Sequence, residues 1–145
     1  GSRPDGSRTA RDKTLMIVGT EWLIEAEGCD PECLRDEALL RDVLGRVLAD
    51  LDLKIIGSVW HKFPGEGGVT GLIPLSESHL ACHTYPEHGT ATFNLYCCRT
   101  RPEWDWETAL KDAIAAASVT VTKIERGTSS EREADPMTRS AGGAE

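Results

Sequence analysis

Residues 69–98 read VTGLIPLSESHLACHTYPEHGTATFNLYCC. Three short runs rich in β-branched and aromatic residues are separated here by SES and by PEHG, which are typical turn sequences. The stretch therefore predicts three consecutive strands, at 69–75, 80–85 and 90–96. A further strand is predicted just before them, over 54–63, so that four strands follow one another as a meander.

The rest of the chain predicts two helices and two more strands. Hydrophobic residues recur at helical spacing over 36–51, and a second amphipathic pattern covers 104–117. Strands are predicted over 14–27, where Gly19 is a possible bulge, and over 119–124. Helices at two places beside hairpin-linked strands indicate an α+β fold, a two-layer sandwich of a mostly antiparallel sheet with two helices packed on one face.

The composition is that of one ordinary globular domain. The chain has 145 residues, of which 39% are hydrophobic and 28% are charged. This length and balance leave room for a single hydrophobic core. Residues 1–13 and 128–145 are poor in core-forming side chains, so we expect them to be disordered tails around one domain at 14–127.

The charge and the cysteine content restrict partners and location. A net charge of −8 repels nucleic acid and anionic lipid, so neither is expected as a partner. No apolar run approaches the roughly 20 residues that cross a bilayer, and no apolar signal segment opens the sequence. An odd number of cysteines without such a signal predicts free thiols and a cytoplasmic protein. The five are Cys29, Cys33, Cys82, Cys97 and Cys98.

Residues 76–98 hold most of the chain's histidines and cysteines, which makes a zinc site the first possibility to test. His79 and His83 would share one face of a strand, about 13 Å apart at roughly 3.3 Å per residue, which is too far for one zinc ion. The adjacent Cys97 and Cys98 would point to opposite faces of a strand. We therefore predict no metal site.

Two kinds of serine chemistry remain for the SES turn. The G-x-S-x-G elbow of a hydrolase is absent, and Ser78 lies in a strand-to-strand turn. Alternatively, the Ser78 hydroxyl can add to the carbonyl of Glu77, if the turn is strained and a donor holds the oxyanion. Loss of the serine α-proton would then break the chain after Glu77 and leave a residue that hydrolyses to a pyruvoyl group. Spacing alone does not select this second chemistry.

The stretch 68–98 resembles the bacterial and archaeal S-adenosylmethionine decarboxylase proenzymes. Their pattern is roughly G-V-S-G-x5-S-E-S-H-x3-H-T-W-P-E-x-G, followed by D-x3-C. The resemblance covers about residues 17–127 and includes GTEWLIEAEGCD, HKFPGEGG and TVTKIERG. The ordered combination of S-E-S-H with H-T-x-P-E is the specific part of the match.

The resemblance implies a self-processing, pyruvoyl-dependent decarboxylase. Ser78 would be the precursor of the pyruvoyl group, and cleavage after Glu77 would give a β chain of residues 1–77 and an α chain of residues 78–145. In the family, paired αβ units form a homodimer or a higher assembly whose active sites lie close to a dimer interface. A pyruvoyl ketone supplies the electron sink that decarboxylation of an amino acid needs.

Further roles follow from the resemblance by position. His83 matches the histidine that assists processing, and Thr70 stands where a serine usually helps to hold the scissile carbonyl. Cys98 matches the cysteine that acts as the acid in turnover, which suits an ordinary thiol because it is largely protonated at neutral pH. Phe63 matches an aromatic residue associated with the nucleoside, and Glu77 is expected to contact the substrate as well.

Several positions depart from the family pattern. The residues Gly19-Thr20-Glu21-Trp22 stand where the family commonly reads Gly-x-His, so that a carboxylate and an indole replace a histidine region. Asn94 replaces an acidic residue, Tyr85 replaces tryptophan, and the FPGEGG loop is one residue longer. A carboxylate at position 21 could pair with a guanidinium or ammonium group. Glu21, Trp22 and Asn94 are therefore candidate substrate contacts.

Three functions remain open on this sequence. The first is decarboxylation of S-adenosylmethionine for spermidine and other polyamine synthesis. The second is a pyruvoyl-dependent arginine or ornithine decarboxylase of the same family. The third is an unprocessed regulatory homologue without catalysis, against which the intact cleavage motif argues.

Overall fold

The computed structural model of the protein describes residues 16–99 and 101–127. The segments predicted as tails, 1–13 and 128–145, lie outside the described residues. Within the described part, one sheet carries a layer of helices, which confirms the predicted α+β sandwich. None of the described helices has the length and apolar character that a membrane span requires.

The sheet of the described residues has six strands, and each neighbouring pair is antiparallel. Their order across the sheet is β2-β3-β4-β5-β1-β6, so the predicted four-strand meander continues into β1 and β6. The strands are β1 Ile17–Glu27, β2 Val59–Lys62, β3 Val69–Pro74, β4 His79–Tyr85, β5 Thr90–Cys97 and β6 Ser118–Gly127. The pairing of β1 with β6 shifts register between Ile17 and Gly19, beside the residue expected to form a bulge.

Three α-helices and one 3-10 turn complete the described part of the chain. They are α1 Pro31–Leu34, α2 Glu37–Asp50, α3 Trp106–Ile114 and the 3-10 turn Pro86–His88. Each α-helix begins after an aspartate whose carboxylate accepts a hydrogen bond from a main-chain N–H of the first turn. These N-caps are Asp30, Asp36 and Asp105.

The core lies between the helices and one face of the sheet. On β1, Trp22, Ile24 and Ala26 alternate with more exposed residues and are buried beneath the helices, as the period of two in a strand requires. Helix α2 covers them with an apolar stripe at helical spacing. This stripe consists of Leu40, Val43, Leu44, Val47 and Leu48.

The other face of the sheet, called the open face below, carries no covering element among the described residues. Exposed apolar side chains lie on it, including Val59, Leu72 and Ile124. Polar side chains of β1, β4 and β5 alternate with the buried core residues and therefore also project onto the open face. The candidate functional residues lie on this face and at its edge.

Two elements are shorter in the structure than the sequence predicts. The strand predicted over 54–63 is reduced to β2 and one isolated bridge between Ile55 and Leu75, because the connecting residues around Gly57 leave the ladder. The helix predicted over 104–117 is shorter at both ends. Asp105 caps its start, and Ala115 ends it in a left-handed conformation.

A buried threonine connects the sheet to the helical layer. The Thr84 hydroxyl accepts a hydrogen bond from the Val69 N–H at 2.8 Å and donates one to the Leu34 carbonyl at 2.7 Å. Thr84 is the buried polar side chain among the core residues described. It therefore joins β3, β4 and α1 at one point and explains the threonine of the H-T-Y-P-E motif.

Replacing Thr84 by valine should destabilise the fold. Thr84→Val keeps the side-chain shape but leaves the Val69 N–H and the Leu34 carbonyl buried without a partner, each at a cost of about 1–3 kcal/mol. Urea unfolding should show a lower midpoint with an unchanged m-value. Thr122→Val, at an exposed position on β6, is the control and should change stability by less than about 0.5 kcal/mol. Equal midpoints for the two variants would contradict this role.

Candidate functional site

Ser78 lies in the tight turn that joins β3 to β4, as predicted. The Leu75 N–H donates to the Ser78 carbonyl at 2.9 Å, which closes the turn on itself. The Ser76 N–H donates to the Lys54 carbonyl at 3.1 Å and ties the turn to the chain before β2. Residues 75–78 are called the SES turn below.

The peptide group predicted to break is held by the residues that follow β5. The Cys98 thiol donates to the carbonyl oxygen of Glu77. The Arg99 guanidinium donates two hydrogen bonds, of 3.2 and 3.1 Å, to the Glu77 carboxylate. A donor on the Glu77 carbonyl oxygen withdraws electrons from the carbon that the neighbouring hydroxyl would attack. The structure thus brings Glu77, Ser78 and Cys98 together.

Two further residues at this end of the sheet received no role from the sequence. Burial raises the pKa of the Cys97 thiol, and the Arg101 charge and the nearby Ser78 side chain partly offset this effect. The Arg101 Nε is buried without a hydrogen-bond partner. Both residues line a cavity of about 20 Å³ beside the SES turn. The sequence feature that could have indicated a role for Arg101 is the pair of basic residues, Arg99 and Arg101, directly after the two cysteines.

The other predicted processing residues form a second group on the open face. Thr70 and His83 face each other across β3 and β4, and the Thr70 hydroxyl lies 3.1 Å from His83 Nδ1. They border a cavity of about 430 Å³ that Phe63 and Tyr85 also line. Phe63 is 47% exposed, so it is available to a ligand in this cavity.

The two groups are not brought together within one chain. Ser78 and His83 are five residues apart along an extended segment, which corresponds to about 16 Å at roughly 3.3 Å per residue. A histidine at that distance cannot take a proton from Ser78 directly. One copy of the chain therefore carries two half-sites, the Ser78 group and the Thr70–His83 group.

The loop at residues 63–68, which forms one wall of the large cavity, is held by two cations. The Lys62 ammonium donates to the carbonyl oxygens of Phe63, Gly65 and Gly67 at 2.5, 3.2 and 3.0 Å. Arg35 donates to the Glu66 carbonyl at 3.1 Å and pairs with its carboxylate at 2.8 Å. These contacts fix the longer FPGEGG loop in one shape beside Phe63.

The predicted substrate contacts at Glu21 and Asn94 bind each other instead. The Asn94 amide donates to Glu21 Oε2 at 2.7 Å, and Arg126 donates to Glu21 Oε1 at 2.5 Å. The Asn94 hydrogen bond, followed by Arg126, lowers the pKa of Glu21 against the opposing effect of burial. Asn94 Oδ1 lies 2.9 Å from His79 Nε2. Both oxygens of Glu21 therefore already accept a hydrogen bond from within the chain.

Trp22 requires a correction. Its side chain is only 5% exposed and lies in the core, on the face of β1 opposite to Glu21. Adjacent residues of a strand point to opposite faces, so Glu21 and Trp22 cannot line one pocket. Trp22 packs in the core and is not positioned to contact a substrate on the open face.

Removing the Lys62 charge should loosen the 63–68 loop. In Lys62→Met, three carbonyl oxygens lose their charged donor, so the amides of Phe63 and Gly67 should exchange with deuterium about 10-fold faster. Lys111→Met is the matched control, since among the described residues the Lys111 ammonium pairs with Glu107 on the exposed side of α3, away from this loop. Unchanged exchange at Phe63 and Gly67 would show that Lys62 does not hold the loop.

The chain matches the family model described as S-adenosylmethionine decarboxylase over residues 20–127. It is 35% identical over 114 residues to the S-adenosylmethionine decarboxylase proenzyme of Moorella thermoacetica, covering 78% of this chain and 90% of that one. The proenzyme of the same description from Caldanaerobacter subterraneus is 31% identical over 114 residues, with 78% and 91% covered.

A solved structure gives the same result. The crystal structure of the adenosylmethionine decarboxylase from Aquifex aeolicus matches with a TM-score of 0.63 and 26% identity, covering 79% of this chain and 95% of that chain. The sequence resemblance noted above is thereby confirmed. The Glu77–Ser78 turn, the Cys98 contact and the Thr70–His83 pair all lie inside the matched region, and the chain belongs to the S-adenosylmethionine decarboxylase family.

Proposed function

We propose that this chain is a proenzyme that cuts itself between Glu77 and Ser78 and then decarboxylates S-adenosylmethionine, which feeds spermidine synthesis. The observation that carries this proposal is the contact between the Cys98 thiol and the carbonyl of Glu77, directly before the serine of the SES turn. Membership of a family whose relatives are described as decarboxylase proenzymes supports the same function.

The first step of self-cleavage uses groups that already lie at the SES turn. The Ser78 hydroxyl adds to the carbonyl carbon of Glu77 while the Cys98 thiol donates to the carbonyl oxygen, and the amide becomes an ester. A base then removes the α-proton of residue 78, and the bond to the ester oxygen breaks. Glu77 leaves as a carboxylate, and water replaces the amino group of residue 78, which departs as ammonia.

The residues present fit the pyruvoyl group that this cleavage would create. Residue 78 lies in a turn at the edge of the open face, with a thiol beside it. The group supplies a ketone that condenses with an amine and draws electrons from the bond to carbon dioxide. Cys98, an exposed thiol, is the proton donor to the α-carbon of the substrate.

The separation of the two half-sites supports a homodimer. Because about 16 Å divides Ser78 from His83 along one chain, a complete site needs the Thr70–His83 pair of a second copy. The open face carries the Thr70–His83 half-site and exposed apolar residues such as Leu72, and the Ser78 half-site lies at its edge. Face-to-face packing of two such sheets would bury this surface and bring unlike half-sites together.

An arginine or ornithine decarboxylase is not favoured. That alternative rested on Glu21 as the partner of a substrate cation, but both of its carboxylate oxygens already accept from Asn94 and Arg126. The relatives compared are described as S-adenosylmethionine decarboxylases. The intact SES turn also argues against an unprocessed regulatory homologue.

Cleavage is tested directly by mass. The purified protein should give two chains, residues 1–77 and residues 78–145, the second with a blocked first residue. Ser78→Ala should remain one uncut chain without decarboxylase activity, because the attacking hydroxyl is gone. Ser76→Ala, in the same turn, is the control and should still be cut. An active preparation containing only the uncut chain contradicts the proposal.

The substrate is tested by carbon dioxide release from the cleaved protein. S-adenosylmethionine, arginine and ornithine should be compared at equal concentration, with the Ser78→Ala protein as the blank. We expect the rate of release from S-adenosylmethionine to be at least about 100-fold above the rates from the other two. A site that hydrogen-bonds the polar groups of one substrate has unpaired polar groups when a different substrate binds. Faster release from arginine or ornithine would restore the alternative function.

The shared site is tested by mixing subunits. Ser78→Ala and His83→Ala should each fail to cleave alone. When the two chains are expressed together, the Ser78 half-site of one meets the His83 half-site of the other, and cleavage should return to about one quarter of the wild-type level for random pairing. No cleavage above that of the single variants would mean that each chain uses its own His83.

A further inference from the structure

The hydrogen bonds around Asn94 have only one consistent arrangement of protons. A carboxylate only accepts hydrogen bonds, so the Asn94 group that faces Glu21 must be the amide NH₂. The Asn94 oxygen therefore faces His79, and His79 Nε2 must donate to it. This assignment follows from donor and acceptor chemistry alone.

The position of the His79 ring is restrained as well. The ring stacks on Tyr96 with 5.7 Å between centroids, and the Arg126 guanidinium lies over the same tyrosine at 5.7 Å. Arg126 also binds Glu21, so the four side chains and Tyr96 form a closed network on the open face. With its proton on Nε2, neutral His79 keeps its lone pair on Nδ1, the ring nitrogen nearer to its own main chain.

We propose that Glu21 and Asn94 form a relay that fixes His79 in the Nε2–H tautomer and thereby positions residue 78, its neighbour in the chain. Glu21 belongs to the segment before the scissile bond, whereas His79, Asn94 and Arg126 belong to the segment after it. The relay therefore still joins the two segments when the chain is cut next to His79. The positioning role rests on the proposed function, because residue 78 is the reactive one.

The relay also accounts for two departures from the family pattern together. The family pattern to which the sequence was compared has histidine at the position of Glu21 and an acidic residue at the position of Asn94. Here the carboxylate stands on β1 and its hydrogen-bonding partner on β5, and the pair remains in contact at 2.7 Å. The two changes therefore act as one exchange that keeps a single carboxylate in this hydrogen-bonded group, and neither requires a different substrate.

The tautomer can be measured without any activity. In Ser78→Ala protein labelled with ¹⁵N, long-range correlation spectra at a pH where His79 is neutral should show its proton on Nε2. Glu21→Gln should invert this assignment. The oxygen of the new amide at position 21 will face Arg126, and its NH₂ will face Asn94. The Asn94 amide will then turn over, so that His79 Nε2 must accept and the ring must carry its proton on Nδ1.

Glu25→Gln is the matched control. Glu25 lies on the same strand and the same face as Glu21, and the substitution removes the same charge without touching the relay. It should leave His79 in the Nε2–H tautomer. The proposal is overturned if His79 carries its proton on Nδ1 in the Ser78→Ala protein, or if Glu21→Gln leaves the tautomer as it was.

The consequence for residue 78 is measured by the rate of self-cleavage in chains that keep Ser78. Glu21→Gln should slow cleavage about 10-fold, since displacement of a reacting group can cost up to roughly 100-fold. Asn94→Asp should also slow it, because two carboxylates then face each other. Adding Glu21→His should restore cleavage by making an acid–histidine pair. Glu107→Gln, which removes a charge on the exposed side of α3, should cleave at the normal rate.

The outcomes separate this inference from the proposed function. If the wild-type chain is never cut, the proposed function fails, while the tautomer in Ser78→Ala protein still decides whether the relay exists. If the wild type is cut and Glu21→Gln inverts the tautomer without slowing cleavage, the positioning role is overturned. The exchange would also be contradicted if the Glu21→His, Asn94→Asp double variant cleaved no faster than Asn94→Asp alone.

Discussion

The pairing register of β4 with β5 is the constraint on which the site depends. His79 stands opposite Tyr96, so the residues just before His79 meet the residues just after Tyr96. This register brings Ser78 to Cys97 and the Glu77 carbonyl to Cys98. A slip of one residue would turn every side chain of β4 to the other face, removing both contacts and the buried core of that strand.

The same sheet separates the chemistry of one chain into two places. The SES turn lies at one end of β4, and the Thr70–His83 pair lies toward the other end, with the open face between them. Since no element among the described residues covers that face, the simplest way to complete the chemistry is a second sheet packed against it. In this view, assembly and catalysis use one surface, and loss of either should remove both.

Small residues and cations preserve the shape of that surface. A side chain at Gly19 would meet the Tyr96 ring, since its Cβ would lie 2.5 Å from the tyrosine oxygen, so glycine there gives Tyr96 room to support His79. Lys62 and Arg35 hold the main chain of the 63–68 loop by its carbonyl oxygens. Main-chain contacts of this kind fix a loop whose own sequence, rich in glycine, has little conformational preference.

The sequence by itself determined the fold class, the order of strands and helices, and the ordered motif around Ser78 that indicates the family, because periodicity, turn residues and motifs are local properties of the chain. Only the tertiary structure decided which of these residues meet. Glu21 and Asn94, 73 residues apart, bind each other rather than a substrate, Trp22 turns into the core, and His83 lies far from Ser78. Such contacts depend on strand register and on which face a side chain occupies, and neither is set by neighbouring residues alone.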